Sequence, residues 1–573
     1  MLKAYPRPQF MREQWDNLNG KWLFAFDDED IGEKENWCAF FPKGKTIEVP
    51  YSYETKMSGI GDERVHPVVW YQRKVHLKKQ KGRLLLNFEG ADYRTKVFFN
   101  GHCIGIHTGA YAAFSFDITN YAVDGENLLT VRCEDSLSCL QPRGKQRWRK
   151  ENFGCWYVQT TGIYKTVWME WVPETYLESI KMTPDIDNGT LVCHAKMRLA
   201  SPATLRCEVL LKEQLVVSQA MDATAEDLKF TLHLVDQRDP WELALWTPEN
   251  PQLYDVRFSL AAADSEDTVS SYAGMRQISI DGDRVLLNHR PLYQRLILDQ
   301  GYWADSHLTP PDDEAYEKDL DAILAAGYNG LRKHQKTEDR RFLALCDQKG
   351  ILVWSEMAAQ YAFSDEGIQA FTEEWMAIVR QNYNHPCVIT WTPFNESWGV
   401  EQLRSDVRQQ QFTVGIYHLT KAYDPMRPVI CNDGWEHTVS DIITLHDYVA
   451  EGEKFKERYA DMSSILDNRK IFNGSNYAFA KGYAYRGQPL ILSEYGGIAF
   501  KTEAGWGYGE QVRDEKAFLK RFESITSAIK ENPAFCGFCY TQVSDVQQEV
   551  NGLYDEHRKP KVNIEEISRI NKK

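Results

Sequence analysis

The chain has 573 residues, 43% hydrophobic and 26% charged, a globular composition with room for three or four domains. Its 67 basic and 82 acidic side chains leave a formal charge of −15, which argues against nucleic acid or an anionic membrane surface as partner. No run approaches the ~18 apolar residues of a membrane span, and Met1-Leu2-Lys3-Ala4-Tyr5-Pro6 lacks the apolar core of a signal peptide, so a soluble, cytoplasmic protein is expected.

Residues 1–172 read as short strands separated by turns. Leu84-Leu85-Leu86-Asn87-Phe88 and Lys96-Val97-Phe98-Phe99 precede an Asn100-Gly101 turn, and Phe114-Ser115-Phe116-Asp117-Ile118 alternates like a half-buried strand. With no helical periodicity between them, this region is expected to be an all-β sandwich. Residues 173–276 continue with evenly spaced strands at Thr190 to Cys193, Leu205 to Leu211 and Phe230 to Leu234, which suits an immunoglobulin-like sandwich.

From 277 to 573 the texture changes to strands alternating with amphipathic helices, the signature of parallel βα units. A helix is predicted from Asp312 to Ala326, opened by Pro310-Pro311 and closed by Gly327. Apolar runs at Leu292–Leu298, Gly330-Leu331, Ile351–Trp354, Val388–Trp391, Pro428–Ile430, Ile442–Leu445, Pro489–Leu492 and Gly537–Tyr540 make eight candidate strands. Eight such units fit a (β/α)₈ barrel, whose chemistry sits at the C-terminal ends of its strands. The chain stops soon after the eighth strand, so no further domain is expected. The twelve cysteines are scattered, most within apolar runs, and read as reduced core residues; Cys536-Gly537-Phe538-Cys539 reads as a barrel strand rather than a redox or metal pair.

Two glutamates directly follow apolar strands. Phe394-Asn395-Glu396-Ser397 follows the fourth and Leu492-Ser493-Glu494-Tyr495 contains the seventh's end, so both carboxylates should project into one central mouth. Glycoside hydrolysis with retention needs two carboxyl groups ~5–5.5 Å apart, one protonated and one ionised.

The motifs resemble those of family 2 glycoside hydrolases, the group of β-galactosidases, β-glucuronidases and β-mannosidases. Asn384-His385-Pro386 leading to Asn395-Glu396-Ser397 is similar to the family's acid/base signature, and Ser493-Glu494-Tyr495-Gly496 to its nucleophile segment. Asn100-Gly101 through Gly109-Ala110-Tyr111 to Asp117, with Thr161-Gly162-Ile163-Tyr164, resembles its sugar-binding-like jelly roll. The resemblance covers the chain in order and is closest in layout to a short three-domain bacterial member. It implies that Glu494 attacks the anomeric carbon while Glu396 protonates the leaving group and later activates water. It also implies that Asn395 meets the sugar 2-hydroxyl and that Tyr448 orients the nucleophile.

Elsewhere the sequence departs from the family pattern. The position where many members carry histidine after the second strand is Gln335, with His334 beside it, and Asp299-Gln300 replaces an Arg-His pair after the first. The Asn-x-Lys with which glucuronidases bind the sugar carboxylate reads Asn551-Gly552-Leu553, so a neutral sugar is expected. Trp435, Trp506, Tyr540, Gln542 and Asp545 are further candidates for substrate contact. Arg143-Gly144-Lys145-Gln146-Arg147-Trp148 reads either as a solvated loop or as one reaching over the barrel. Glu356 resembles one Mg²⁺ ligand of the β-galactosidases, but a single carboxylate does not establish a metal, and none is expected to be required. The reading is thus a retaining exo-β-glycosidase for a small neutral glycoside, β-galactoside first, with β-glucoside and α-L-arabinopyranoside as alternatives. The homo-oligomeric state is left open. A non-catalytic carbohydrate-binding protein is the competing class, and the presence of both glutamates speaks against it.

Overall fold

Asn100 and Gly101 have φ of +50° and +78°, and Phe99 pairs directly with His102. A two-residue turn of this kind matches the twist of the strands it joins. In the computed structural model, which describes residues 2–235, 242–501 and 504–573, this hairpin forms one edge of a six-stranded antiparallel sheet. That sheet faces a four-stranded one containing Arg83–Phe88, Phe114–Asp117 and Val167–Val172. Strand alternation turns Trp22, Phe24, Val69, Tyr71, Leu84, Leu86, Val97 and Phe99 into the space between them, where all are buried.

The second module pairs Tyr176–Asp185 with Thr190–Arg198 across the Asn188-Gly189 turn. Its three-stranded sheet packs on a four-stranded one over Leu191, Cys193, Leu205, Cys207, Val256 and Phe258. Seven strands in two antiparallel sheets make it immunoglobulin-like. It is tied to the barrel by Trp246, whose indole N–H donates to Asp347 O (2.7 Å), and by Arg276, which donates to the carbonyls of Pro386 and Val388 (both 3.0 Å).

The barrel strands are β1 (Gln294–Asp299), β2 (Gly330–Lys333), β3 (Leu352–Glu356), β4 (Val388–Thr392), β5 (Asn432–Asp433), β6 (Ile443–His446), β7 (Leu490–Gly496) and β8 (Phe535–Thr541). Seven of them form one parallel sheet in the order β4-β3-β2-β1-β8-β7-β6. β5 bridges the remaining gap: it pairs with Phe394–Asn395 just beyond β4, and Gly434 O accepts from His446 N at the end of β6 (3.3 Å). The apolar run Pro428–Ile430 expected as the fifth strand lies just before it, where Val429 only bridges Trp391. Helix residues Leu320, Ile323, Phe342, Trp375, Ile378, Phe518, Phe522 and Ile525 cover the outside of the barrel. No helix among the described residues is long and apolar enough to cross a membrane. All twelve cysteines are free.

Candidate active site

Beyond β4 the chain enters the left-handed region at Glu396 (φ +53°) and Ser397 (φ +57°). Non-glycine residues seldom adopt it, and here β5 holds it in place. Glu396 N donates to Asp433 O (2.9 Å), and Ser397 N donates to Asn432 Oδ1 (2.9 Å). The Glu396 side chain keeps 21% of its surface exposed, whereas Glu494, set into β7, keeps 5%. One oxygen of each carboxylate and a ring nitrogen of His446 lie within 4.8 Å of one another.

Arg332, at the inner face of β2, organises the floor. Its guanidinium reaches Glu356 Oε1 (2.7 Å), Asp433 Oδ2 (2.6 Å) and Glu494 Oε1 (3.1 Å) and donates to Asn395 Oδ1 (3.2 Å). Tyr448 donates its hydroxyl to Glu494 Oε2 (2.5 Å) and contacts Thr541 Oγ1 (3.1 Å). Burial by itself would raise the pKa of Glu494. His446, Arg332 and His334, with the Tyr448 hydroxyl, outweigh it and bring the carboxyl down to about 2. Burial would likewise depress His446, yet Glu494 and Asp433 push it up to about 10. Both ring nitrogens of His446 face carboxylates, Asp433 at 3.1 Å from Nε2 and Glu396 at 2.8 Å from Nδ1, so the ring is an imidazolium with a proton on each side.

Those contacts bear on metals. Glu396, His446 and Glu494 have the proximity of a metal site, but His446 would offer nitrogen where Mg²⁺ takes oxygen, and both its ring nitrogens already face carboxylates. Glu356 has both oxygens engaged, Oε1 by Arg332 and Oε2 by His334 Nδ1 and Gln335 N (both 3.0 Å). The residues present do not suit Mg²⁺ here.

Of the residues singled out in the sequence, Tyr448 bonds Glu494, Asn395 precedes Glu396 and accepts from Arg332, and His334 and Gln335 meet Glu356. Trp435 stands edge-on to His446, ring centroids 5.6 Å apart. Five are placed otherwise. Asp299 is buried and bound to Lys333 Nζ (2.5 Å), whose ammonium also sits over the Phe342 ring of the outer helix layer, so it is not free to meet a sugar. Tyr540 packs on Tyr495 and Phe522, on the helix side of the barrel. β8 is apolar throughout, and alternation puts its neighbours Cys539 and Thr541 inside instead. Gln542 is buried and donates to Asn551 Oδ1 (2.7 Å). Trp506 uses its indole N–H to hold Gly154 O of the first domain (2.9 Å), and Asp545 pairs with Lys561 (2.7 Å).

The Arg143–Trp148 segment is no solvated loop. Gly144 N donates to Ala359 O (3.0 Å), and Tyr361 Oη lies 2.6 Å from Gly144 O and 3.0 Å from Gln335 Oε1. Trp148 stacks on Tyr361 at 4.0 Å, and Trp156 stands edge-on to Trp398, two residues beyond Glu396. The first sandwich thus walls one side of the mouth. Sequence reasoning also passed over Asp433, His446 and Tyr508; the last stacks on Tyr448 with centroids 3.4 Å apart and planes 5° apart. Asp433 and His446 both carried a usable signal, a polar residue at the end of an apolar run.

A jelly roll and an immunoglobulin-like sandwich preceding a barrel with two facing glutamates is the build of a glycoside hydrolase. Family models agree domain by domain: glycosyl hydrolases family 2, sugar binding domain, matches residues 15–170, glycosyl hydrolases family 2 matches 175–276, and glycosyl hydrolases family 2, TIM barrel domain, matches 278–573. The chain belongs to glycosyl hydrolases family 2. It is 25% identical over 529 residues to a β-galactosidase of Thermoanaerobacter pseudethanolicus, covering 87% of this chain and 68% of that protein. It is equally 25% identical over 572 residues to the β-glucuronidase of Sus scrofa, covering 91% and 83%. The crystal structure of Ruminococcus gnavus β-glucuronidase superposes with a TM-score of 0.80 at 18% identity, over 99% of both chains.

Proposed function

We propose that the protein is a retaining exo-β-glycosidase in which Glu494 is the nucleophile and Glu396 the acid/base. The observation that carries this reading is that one oxygen of each carboxylate lies within 4.8 Å of the other, beside His446. Retaining enzymes hold the pair ~5–5.5 Å apart, while inverting ones leave ~6.5–9.5 Å for a water. Glu494 is kept ionised by Arg332 and His446 and oriented by Tyr448, as a nucleophile must be. Glu396, the more exposed of the two, can exchange its proton with the leaving group and then with water. Asn395 lies beside it to receive the 2-hydroxyl. The wall formed by the first sandwich closes one side of the mouth, which favours removal of a terminal sugar. A protein that only bound carbohydrate would have no use for a buried carboxylate held ionised at such cost in desolvation. No metal enters this scheme, so prolonged chelation should leave activity unchanged.

For the glycone, β-galactoside is the first neutral candidate, and relatives at equal identity bear galactosidase and glucuronidase names. A 2-deoxy-2-fluoro aryl glycoside of the preferred sugar tests the reading. The glycosyl-enzyme should accumulate, with the label on the peptide that contains Glu494. A first-formed product of inverted configuration, with no labelled peptide, would refute it.

A further inference from the structure

Lys145 is carried into the barrel mouth by the first sandwich, and it is buried, with 8% of its surface exposed. Its Nζ has one polar contact among the described residues, Cys155 Sγ at 3.3 Å, and forms no salt bridge among them. The other buried lysines nearby all hold oxygen. Lys333 has Asp299 and Glu338, Lys336 has Glu338, and Lys165 has the carbonyls of Tyr111 and Thr337. Burying an ammonium without an oxygen acceptor is unfavourable unless something else completes the site.

The position is fixed on both sides. Gly144 is bonded to Ala359, Lys145 O accepts from Tyr157 N (2.8 Å), and Asn152 donates to Gln547 Oε1 (2.6 Å). Lys145 therefore sits at the seam between the first sandwich and the barrel loops that follow β3 and β8, and Glu549 and Glu494 are among the charges that act on it. Glu549 is already occupied, by the Tyr157 hydroxyl (2.5 Å) and by Asn551 Nδ2 (3.1 Å). Burial pushes the Cys155 thiol up, toward its neutral form. The barrel itself offers no spare cation among the described residues of the mouth. Arg332 and Lys333 are fully paired, and Leu553, where the sequence lacks a lysine, is part of the core.

We propose that Lys145 binds a carboxylate on the sugar in the pocket, so that the preferred glycone is a uronic acid, with the charge supplied by the first domain rather than by the barrel. This rests on the glycosidase reading above and replaces the neutral-sugar expectation drawn from Leu553. A charge-assisted hydrogen bond of this kind is worth about 10- to 150-fold in binding.

The test compares 4-nitrophenyl β-glucuronide and β-galacturonide with the matching glucoside and galactoside. The wild type should prefer at least one uronide by kcat/KM. Lys145→Met should lower the uronide-to-neutral ratio about 100-fold, chiefly through KM, and Lys145→Arg should recover part of it. Calorimetry with free glucuronate, galacturonate, glucose and galactose reads the same site without turnover and needs no variant; a uronate should bind more tightly than its neutral counterpart. Turnover and binding of neutral sugars alone would overturn the assignment of Lys145, as would a Lys145→Met variant that loses both classes equally. An enzyme inert on every glycoside that still bound a uronate more tightly would keep Lys145 and sink the catalytic reading instead.

Discussion

The Nδ1 atom of His446 lies 2.8 Å from Oε1 of Glu396. The same atom is 3.4 Å from Oε2 of Glu494, so one imidazolium touches both glutamates while Asp433 anchors its far side. Its charge is the strongest influence holding Glu494 ionised against burial. Replacing it by the neutral His446→Asn should therefore raise the pKa of Glu494. The acidic limb of kcat/KM should move to higher pH by about one pH unit or more. A profile that kept its acidic limb while only kcat fell would mean that His446 acts by shape alone.

The same residue shapes stability. His446 is raised from its unfolded value of 6.5 to about 10, so the folded chain holds a proton that the unfolded chain releases between those values. The stabilisation is fully present below pH 6.5 and is lost as pH climbs through 10. Melting temperature should fall across that window in the wild type, and the slope should flatten in His446→Asn, measured by calorimetry at fixed ionic strength.

Tyr448→Phe removes a hydrogen bond that Glu494 accepts at 2.5 Å. Activity should drop by about 10- to 100-fold in kcat, with little change in melting temperature. Tyr508→Ala takes away the ring stacked on Tyr448 and should cost less, roughly tenfold. If Tyr508 acts by holding Tyr448, the double variant should be no worse than Tyr448→Phe. Additive losses would show that Tyr508 meets the substrate on its own.

Arg332→Met should unfold the floor as well as abolish activity. The side chain is fully buried and bonded to Glu356, Asp433 and Glu494, so its removal strands three carboxylates. Breaking one buried pair costs about 3–5 kcal/mol, and urea denaturation should show a loss of at least that size. A variant of near-native stability would show that the carboxylates take up protons or water readily, and that the floor is less rigid than its distances suggest.

The domain order could be read from the sequence because it rests on local chemistry. Asn100-Gly101 can only turn sharply, and Pro310-Pro311 ahead of an amphipathic run can only open a helix. Glu396 and Glu494 were legible for a related reason, each being a charge set at the end of an apolar run. Tyr540 was misplaced because Phe535–Thr541 is apolar on both faces and carries no alternation to say which side looks inward. Thr541 meets Tyr448 at the barrel axis, so the axis falls on the odd positions. For Lys145 the sequence left two readings open, a solvated loop and one reaching over the barrel. A basic, turn-forming stretch has the composition of a solvated loop, and only its contacts with Ala359 and Tyr361 from another domain reveal that it is buried.

The roles of the two glutamates can be separated by chemistry rather than position. Glu494→Ala should lose several orders of magnitude on every substrate, since no leaving group compensates for a missing nucleophile. Glu396→Ala should form the glycosyl-enzyme from an activated nitrophenyl glycoside, because nitrophenolate departs without a proton. It should then stall, because no base remains to activate water. Azide needs no deprotonation and can enter where the Glu396 carboxylate stood. It should restore turnover of Glu396→Ala and give a glycosyl azide of β configuration, identified by NMR. In Glu494→Ala the same anion would attack the free anomeric face and give the α-azide. Recovery of α-azide from Glu396→Ala, or of β-azide from Glu494→Ala, would require the two roles to be exchanged.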